Sequence, residues 1–197
     1  MEDMLKKYKN NSDKLIFVHI PKCGGTYVRT IIKKFGIKNT HHNQAIKNKN
    51  KDNIYFTVVR DPIERFESLL NYRLNEKKPR KDFPIRLHHV YDNINIELNE
   101  IVHNLTDDEI LNFIPFRTLK YYMKNVKIAF TIDKLNVFMK YFGYEYKDID
   151  KVNVSIKKRG TFNNKTKVRL KKVFNEDIIL YNNIINFRYN YDDPIPE

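Results

Sequence analysis

Two short stretches of this chain hold residue types that handle phosphate-like anions. In Pro21-Lys22-Cys23-Gly24-Gly25-Thr26 a lysine and a threonine flank two glycines. The apolar run Leu15–Ile20 before it reads as a buried strand. Tyr27–Phe35 after it has helical periodicity and stops at Gly36. Strand, glycine turn and helix start together aim free backbone N–H groups, and the positive end of the helix dipole, at an anion. Gly24 and Gly25 allow close backbone approach, Thr26 supplies a hydroxyl and Lys22 a full charge. The order is not the nucleoside-triphosphatase pattern G-x-x-x-x-G-K-[ST]. Here the lysine precedes the glycines, and no Ser or Thr follows it directly to hold Mg²⁺. The same six residues also fit an ordinary βα turn with an exposed lysine.

The second stretch begins at Arg60, which leaves the end of another buried strand, Ile54–Val59. Asp61 as N-cap and Pro62 at the first helical position open a helix expected to run to about Asn75. On that helix Asp61, Arg65, Ser68 and Tyr72 follow steps of four, three and four, so they share one face. Arg60 and the Ser68 hydroxyl, brought together this way, suit a terminal phosphate. Arg65 reads as a structural partner of Asp61.

These loops need a scaffold that delivers both to one edge. Strands are expected at Leu15–Ile20, about Gly36–Thr40, Ile54–Val59 and Lys127–Ile132. Helices are expected at Tyr27–Phe35, Pro62–Asn75, Ile96–Leu105 and Asp107–Ile114, with Thr106-x-x-Glu109 as a capping box. Another follows Asp133, taken as its cap, and ends at Gly143. Asn163–Phe187 is one long helical pattern or two. Alternation of strands and helices predicts an α/β fold, a central, mostly parallel β-sheet flanked by helices. Such sheets bind ligands at the carboxyl ends of their strands, where both loops fall. The expected organisation is a flexible N-terminal tail (1–13), a single domain (14–190) and a C-terminal tail (191–197).

Composition sets the outer bounds. The 197 residues carry 41% hydrophobic side chains, enough for one globular domain with a real core. No apolar run approaches the roughly 18 residues of a membrane span, and the Lys-rich start has no signal-peptide core. The one cysteine, Cys23, permits no internal disulfide. The expectation is a soluble protein of a reducing compartment, the cytoplasm, with no membrane partner. The net charge of +13 attracts phosphates, sulfates and acidic polymers, although Lys is abundant throughout the chain. The paired histidines His41-His42 and His88-His89 are poor chelators as neighbours, so no metal is expected.

Taken together, LIFVHIPKCGGTYVRTII and IYFTVVRDPIERFESLLNY resemble the two nucleotide loops of sulfotransferases that use 3′-phosphoadenosine 5′-phosphosulfate (PAPS). The first is similar to their 5′-phosphosulfate loop, the second to their 3′-phosphate motif R-D-P-x-x-R-x-x-S. The style is that of the carbohydrate sulfotransferases, whose loop commonly begins H-I-P-K. The resemblance covers about the first third of the chain well. Phe130–Gly143 is weakly similar to the family's later strand and helix. Asn153–Arg188 is weakly similar to its closing segment, whose D-x-x-L-Y pattern is here Asp177 to Tyr181.

The resemblance implies a P-loop-type sulfotransferase fold and sulfuryl transfer from PAPS to an acceptor hydroxyl, with 3′,5′-bisphosphoadenosine as product and no metal. It implies that Lys22, Gly24, Gly25 and Thr26 hold the 5′-phosphosulfate, and that Arg60 and Ser68 hold the 3′-phosphate. Lys157-Lys158-Arg159-Gly160 resembles the R-K-G loop that closes over the nucleotide, so Lys158, Arg159 and Gly160 join the donor set. Lys22 stabilises the leaving phosphate. A hydroxyl acceptor needs a general base, for which His42 is the first candidate and His41, His88 and His89 are competitors; His19 reads as a core residue or one that supports the site from behind. The favoured acceptor is a glycan, ahead of an acidic tyrosine-bearing peptide or a small molecule. The basic stretch Lys77–Arg86, with Phe83, His88, His89 and Tyr91, is a candidate acceptor surface. No nucleic-acid partner is expected. Two other readings remain: a non-catalytic polyanion-binding module on the same fold, and a small nucleotide kinase.

Overall fold

The computed structural model describes residues 5–40, 50, 52–76, 84–89, 97–113, 118–146 and 160–186. Four strands, β1 (Leu15–Phe17), β2 (Lys38–Asn39), β3 (Ile54–Val59) and β4 (Ile128–Thr131), form one sheet in the order β2-β1-β3-β4. Every pairing is parallel, with Phe17 opposite both Asn39 and Phe56, and Val59 opposite Thr131. The sheet is therefore wholly parallel among the described strands. The α-helices among the described residues are α1 (Gly25–Lys33), α2 (Pro62–Leu74), α3 (Leu98–Asn104), α4 (Asp107–Leu111), α5 (Leu119–Met123), α6 (Leu135–Tyr141), α7 (Asn164–Val173) and α8 (Asn175–Ile185).

Both faces of the sheet are covered, which is why β3 is buried at every position. Its side chains alternate. Ile54, Phe56 and Val58 pack with Val28, Ile31 and Ile32 of α1 and with Leu135, Phe138 and Met139 of α6. Tyr55 and Val59 face the other way, onto Leu119, Tyr122 and Met123 of α5 and Leu180 and Ile184 of α8. A third core lies beside the sheet, where Phe66, Leu69 and Leu70 of α2 meet Leu98, Ile101, Leu170 and Phe174. It holds α3, α4 and α7 to the helix that carries the second loop.

Several local expectations are met by identifiable contacts. The Asp61 side chain accepts from the Ile63 and Glu64 N–H groups, and Pro62 is the first residue of α2. Thr106 and Glu109 form the reciprocal capping box of α4. Asn163 caps α7 through the Thr166 N–H. The long C-terminal pattern resolves into two helices that meet at Phe174, whose ring is buried in the third core.

Other expectations change. β1 ends at Phe17, three residues early, although Val18 still donates to the Phe56 carbonyl at 2.8 Å and its own carbonyl accepts from the buried Thr57 hydroxyl at 2.7 Å. A 3₁₀ turn, Ile132–Lys134, precedes α6, so Lys134 rather than Asp133 is the residue before that helix. In the segment expected as an N-terminal tail, Leu5 is fully buried and Tyr8 rests on the same core, while Lys6, Lys7, Lys9 and Asn10 are exposed. A short apolar anchor in a Lys-rich run carries too little periodicity to announce this. No helix among the described residues is long and apolar enough to cross a membrane.

Candidate functional site

The strand order makes the site. From β1 the chain crosses through α1 to β2 on one side; it then returns to β3 and moves on to β4 on the other. The direction of winding reverses between β1 and β3, and a parallel sheet opens its ligand crevice at such a point, beyond the carboxyl ends of the strands. The two anion-handling loops leave β1 and β3, so both rim this crevice.

The first loop is a tight turn. The Cys23 N–H approaches the Ile20 carbonyl at 3.4 Å, with Pro21 and Lys22 between them. Lys22 has φ 64°, the left-handed region that a type II turn requires at this place and that glycine ordinarily fills. Holding a lysine there costs about 1 kcal/mol, a strain typical of functional positions. Gly24 follows at φ 81° as the N-cap of α1, without a side-chain cap. The first amides of α1 therefore point toward the crevice with no carbonyl of their own helix to meet. Gly25 answers to a different constraint. A Cβ on it would lie 2.0 Å from the imidazole of His19, which is buried and stacked against Phe17. His19 is thus a core residue that seats the start of α1.

The second loop is pinned directly to the first. The Arg60 backbone N–H lies near enough to the Cys23 thiol to favour its charged form. Arg65, wholly buried, donates through Nε to the Pro21 carbonyl at 3.0 Å, and its guanidinium lies 5.5 Å from the centre of the Tyr122 ring. Lys22 Nζ sits 4.4 Å over the ring of Tyr72. Burial lowers the Lys22 pKa, and the Arg60 charge lowers it further. Two cations held this close, at a helix N-terminus, form a site that an anion stabilises. Burial pushes the Cys23 thiol up, which makes it a poor nucleophile.

Arg65 therefore departs from its expected pairing with Asp61. Asp61 spends its carboxylate on the helix cap, while Arg65 reaches beneath the loop and braces the residue before Lys22. Arg60 is half-buried and its Nε lies 3.2 Å from Glu64, one helical turn on. Ser68 is half-buried on the adjoining stretch of α2, and Thr26 is exposed at the head of α1.

Gly160 belongs to the same region. Its carbonyl accepts from Asn71 at 3.2 Å, and the Phe162 N–H donates to Glu67 at 2.8 Å. Both anchors are on α2 within a turn of Ser68. Lys158 and Arg159 lie outside the described residues, as do His41 and His42. Thr40 lies at the carboxyl edge, where its N–H donates to the Phe17 carbonyl at 2.8 Å and its hydroxyl accepts from the His19 N–H at 3.4 Å.

Two residues of the closing segment gain roles that pattern alone did not assign. Asp177 is buried and accepts from the Leu119 and Lys120 N–H groups at 2.7 and 3.3 Å, so it caps α5 from a distance. Burial raises its pKa despite these donors. Tyr181 is half-buried at the crevice edge; burial raises its phenol pKa, helped by the charges of Asp61, Glu64 and Asp133.

The basic stretch after α2 is described only at its end. Arg86 is engaged there: it pairs with Glu109 and donates to the Asn104 carbonyl at 3.0 Å. His89 Nδ1 lies 2.9 Å from the Arg86 carbonyl, and His88 is half-buried. Phe83 and Tyr91 lie outside the described residues. Among the described residues no group of three or more His, Cys, Asp or Glu is placed to hold a metal. Compared with protein-family models, with curated proteins and with solved structures, the chain matches none.

Proposed function

We propose that the protein transfers a sulfuryl group from PAPS to an acceptor hydroxyl, on a sulfotransferase-like variant of the α/β fold. One observation carries the reading: the two loops that resemble the family's nucleotide motifs are in direct contact at the reversal point of the sheet. Pro21 with Arg65 and Lys22 with Tyr72 are the contacts. Nothing in an isolated βα turn requires that meeting.

The chemistry then follows from the residues. The α1 amides, Thr26 and Lys22 bind the 5′-phosphosulfate, and Arg60 and Ser68 bind the 3′-phosphate. The acceptor oxygen attacks sulfur in line with the bridging oxygen. The new S–O bond forms as the old one breaks, and the electron pair leaves on the 5′-phosphate. Lys22 neutralises that developing charge, and positioning supplies most of the remaining acceleration. The acceptor proton passes to a base, a role assigned to His42 by the family resemblance.

The test is incubation with PAPS and, separately, ATP, scoring bisphosphoadenosine or ADP release with a panel of glycan, peptide and small hydroxylic acceptors. Acceptor-dependent bisphosphoadenosine release supports the reading. ADP release points to a kinase. Tight bisphosphoadenosine binding without turnover on any acceptor points to a binding module.

A further inference from the structure

Beside the donor loop runs a groove of about 540 Å³, between the outer side of α1 and the edge strand β2. Thr26, Arg29, Thr30 and Lys33 form one wall, and Lys38 and Asn39 face them. Residues 26, 29, 30 and 33 lie on one helical face. The core takes the other face, through Gly25, Val28, Ile31 and Ile32. At the turn between the walls Gly36 adopts φ 67°, and a Cβ there would meet nothing within 4 Å, so the groove stays open at that end.

Its charge is of one sign. Among the described residues every ionisable one that lines it is a cation, and Arg29, Lys33 and Lys38 have no acidic partner there. Other cations are paired, Arg60 with Glu64, Arg86 with Glu109 and Arg169 with Asp107. Three like charges across one cleft are relieved by an anionic occupant. Between the cations stand the Thr26 hydroxyl and the Asn39 amide, which both donate and accept hydrogen bonds as sugar hydroxyls do, and the Thr30 hydroxyl, which donates to the Thr26 carbonyl at 3.1 Å and can still accept. Among the described residues Ile37 is the one large apolar side chain of the lining and no aromatic ring contributes, which favours a hydroxylated occupant over an aromatic one. From Thr26 to Lys33 the wall extends about 10 Å, on the order of a disaccharide.

Thr26 belongs both to this groove and to the donor loop. We propose that the groove holds the acceptor, an oligosaccharide that already carries carboxylate or sulfate groups, with Arg29, Lys33 and Lys38 on its anions and its reacting hydroxyl directed past Thr26. The acceptor role rests on the sulfuryl-transfer reading; the saccharide site does not.

The experiment uses the full chain and three fluorescent probes: a sulfated, uronate-containing hexasaccharide, its desulfated and carboxyl-reduced counterpart, and a Glu-rich peptide with one tyrosine matched in charge. The groove variant is R29Q/K33Q/K38Q. Its control, K165Q/K167Q/K171Q, removes the same charge from the exposed side of α7. The wild type is expected to bind the acidic saccharide more tightly than either other probe. The groove variant should lose about tenfold or more of that affinity, since charged hydrogen-bond partners are removed. The control should lose far less, and both variants should keep their affinity for bisphosphoadenosine. Equal losses in the two variants would show attraction by overall charge and overturn the proposal. So would an unaffected groove variant, tighter binding of the peptide, or no binding of the acidic saccharide by the wild type. Should the wild type not distinguish bisphosphoadenosine from AMP while the groove result holds, the donor assignment fails and the saccharide site stands.

Discussion

At the scale of single residues, Lys22 unites strain and charge. Its φ of 64° belongs to glycine, yet glycine would remove the ammonium that sits over Tyr72 and feels the charge of Arg60. The two requirements separate in two variants. Lys22→Ala loses the charge and the contact with Tyr72 but keeps the strain. Lys22→Gly loses the same contacts and relieves the strain. Both should be inactive, with turnover reduced at least ~10²-fold, and the glycine variant should be more stable than the alanine variant by about 1 kcal/mol. Denaturant unfolding beside a turnover assay checks both; a glycine variant that retains activity would remove Lys22 from the chemistry. Arg60 shows a second tension, because Glu64 holds the guanidinium assigned to the 3′-phosphate. A surface pair of this kind is worth about 0–1 kcal/mol, so a phosphate displaces it. Arg60→Ala should erase the preference for bisphosphoadenosine over AMP, whereas Glu64→Gln should tighten bisphosphoadenosine up to about fivefold. Calorimetry showing Glu64→Gln unchanged and Arg60→Ala still selective would move the 3′-phosphate elsewhere.

At the scale of elements, the start of α1 is set by what lies under it. Gly25 is required because the His19 ring occupies the space a Cβ would need. Gly25→Ala should destabilise by about 1–3 kcal/mol, as overpacking does. His19→Ala should restore much of that loss in the double variant, and a fully additive double-mutant cycle would show that the two do not meet. The capping of α4 gives a pH prediction. Arg86 and the Thr106 cap hold Glu109 down at about 2, against an ordinary 4.5. A carboxyl depressed in the folded state contributes stability that is complete above its unfolded value and disappears as pH falls through the folded one. Arg86→Ala should therefore be less stable than wild type at neutral pH, with the gap closing between about pH 4.5 and pH 2. Thermal melts across that range decide the matter; a gap that stays constant would assign Arg86 to packing alone.

At the scale of the whole molecule, the crevice is shared by elements far apart in the chain. Lys22 follows β1, Arg60 follows β3, Gly160 is tied to α2, and Tyr181 reaches the edge from α8. A ligand that bridges such elements stabilises the fold as a unit. At about a hundred times its dissociation constant, bisphosphoadenosine should add roughly 2.7 kcal/mol. For a domain of this size that is a rise in Tm of roughly 5–10 °C. AMP at the same concentration should give a clearly smaller rise. Equal shifts from both would contradict a 3′-phosphate site.

Much of this was readable in order along the chain. Alternating apolar runs and helical periods announced a parallel sheet, because burial of both faces demands continuous β-formers in strands such as Ile54–Val59. Asp61-Pro62 and Thr106-x-x-Glu109 marked helix starts, because backbone amides there must be satisfied locally. Lys22, Gly24 and Arg60 stood out as anion-handling types placed directly after buried strands, although an ordinary βα turn fits the first loop as well. Tertiary structure alone decided the rest. Arg65 has the spacing of an Asp61 partner but is drawn under the first loop, because the Asp61 carboxylate is already taken by α2 amides and the Pro21 carbonyl is buried within reach. Gly25 has a second reason to be glycine that no local pattern shows, because the His19 ring fills the space of a Cβ. Asp177 finds the amides of α5 across the fold. The groove beside α1 exists only because β2 pairs at the sheet edge, which brings Lys38 opposite Arg29 and Lys33. Local sequence determines which backbone groups need partners and which side chains seek the core. Which distant group answers each need is decided when the chain closes on itself, since that choice depends on distances no linear pattern contains.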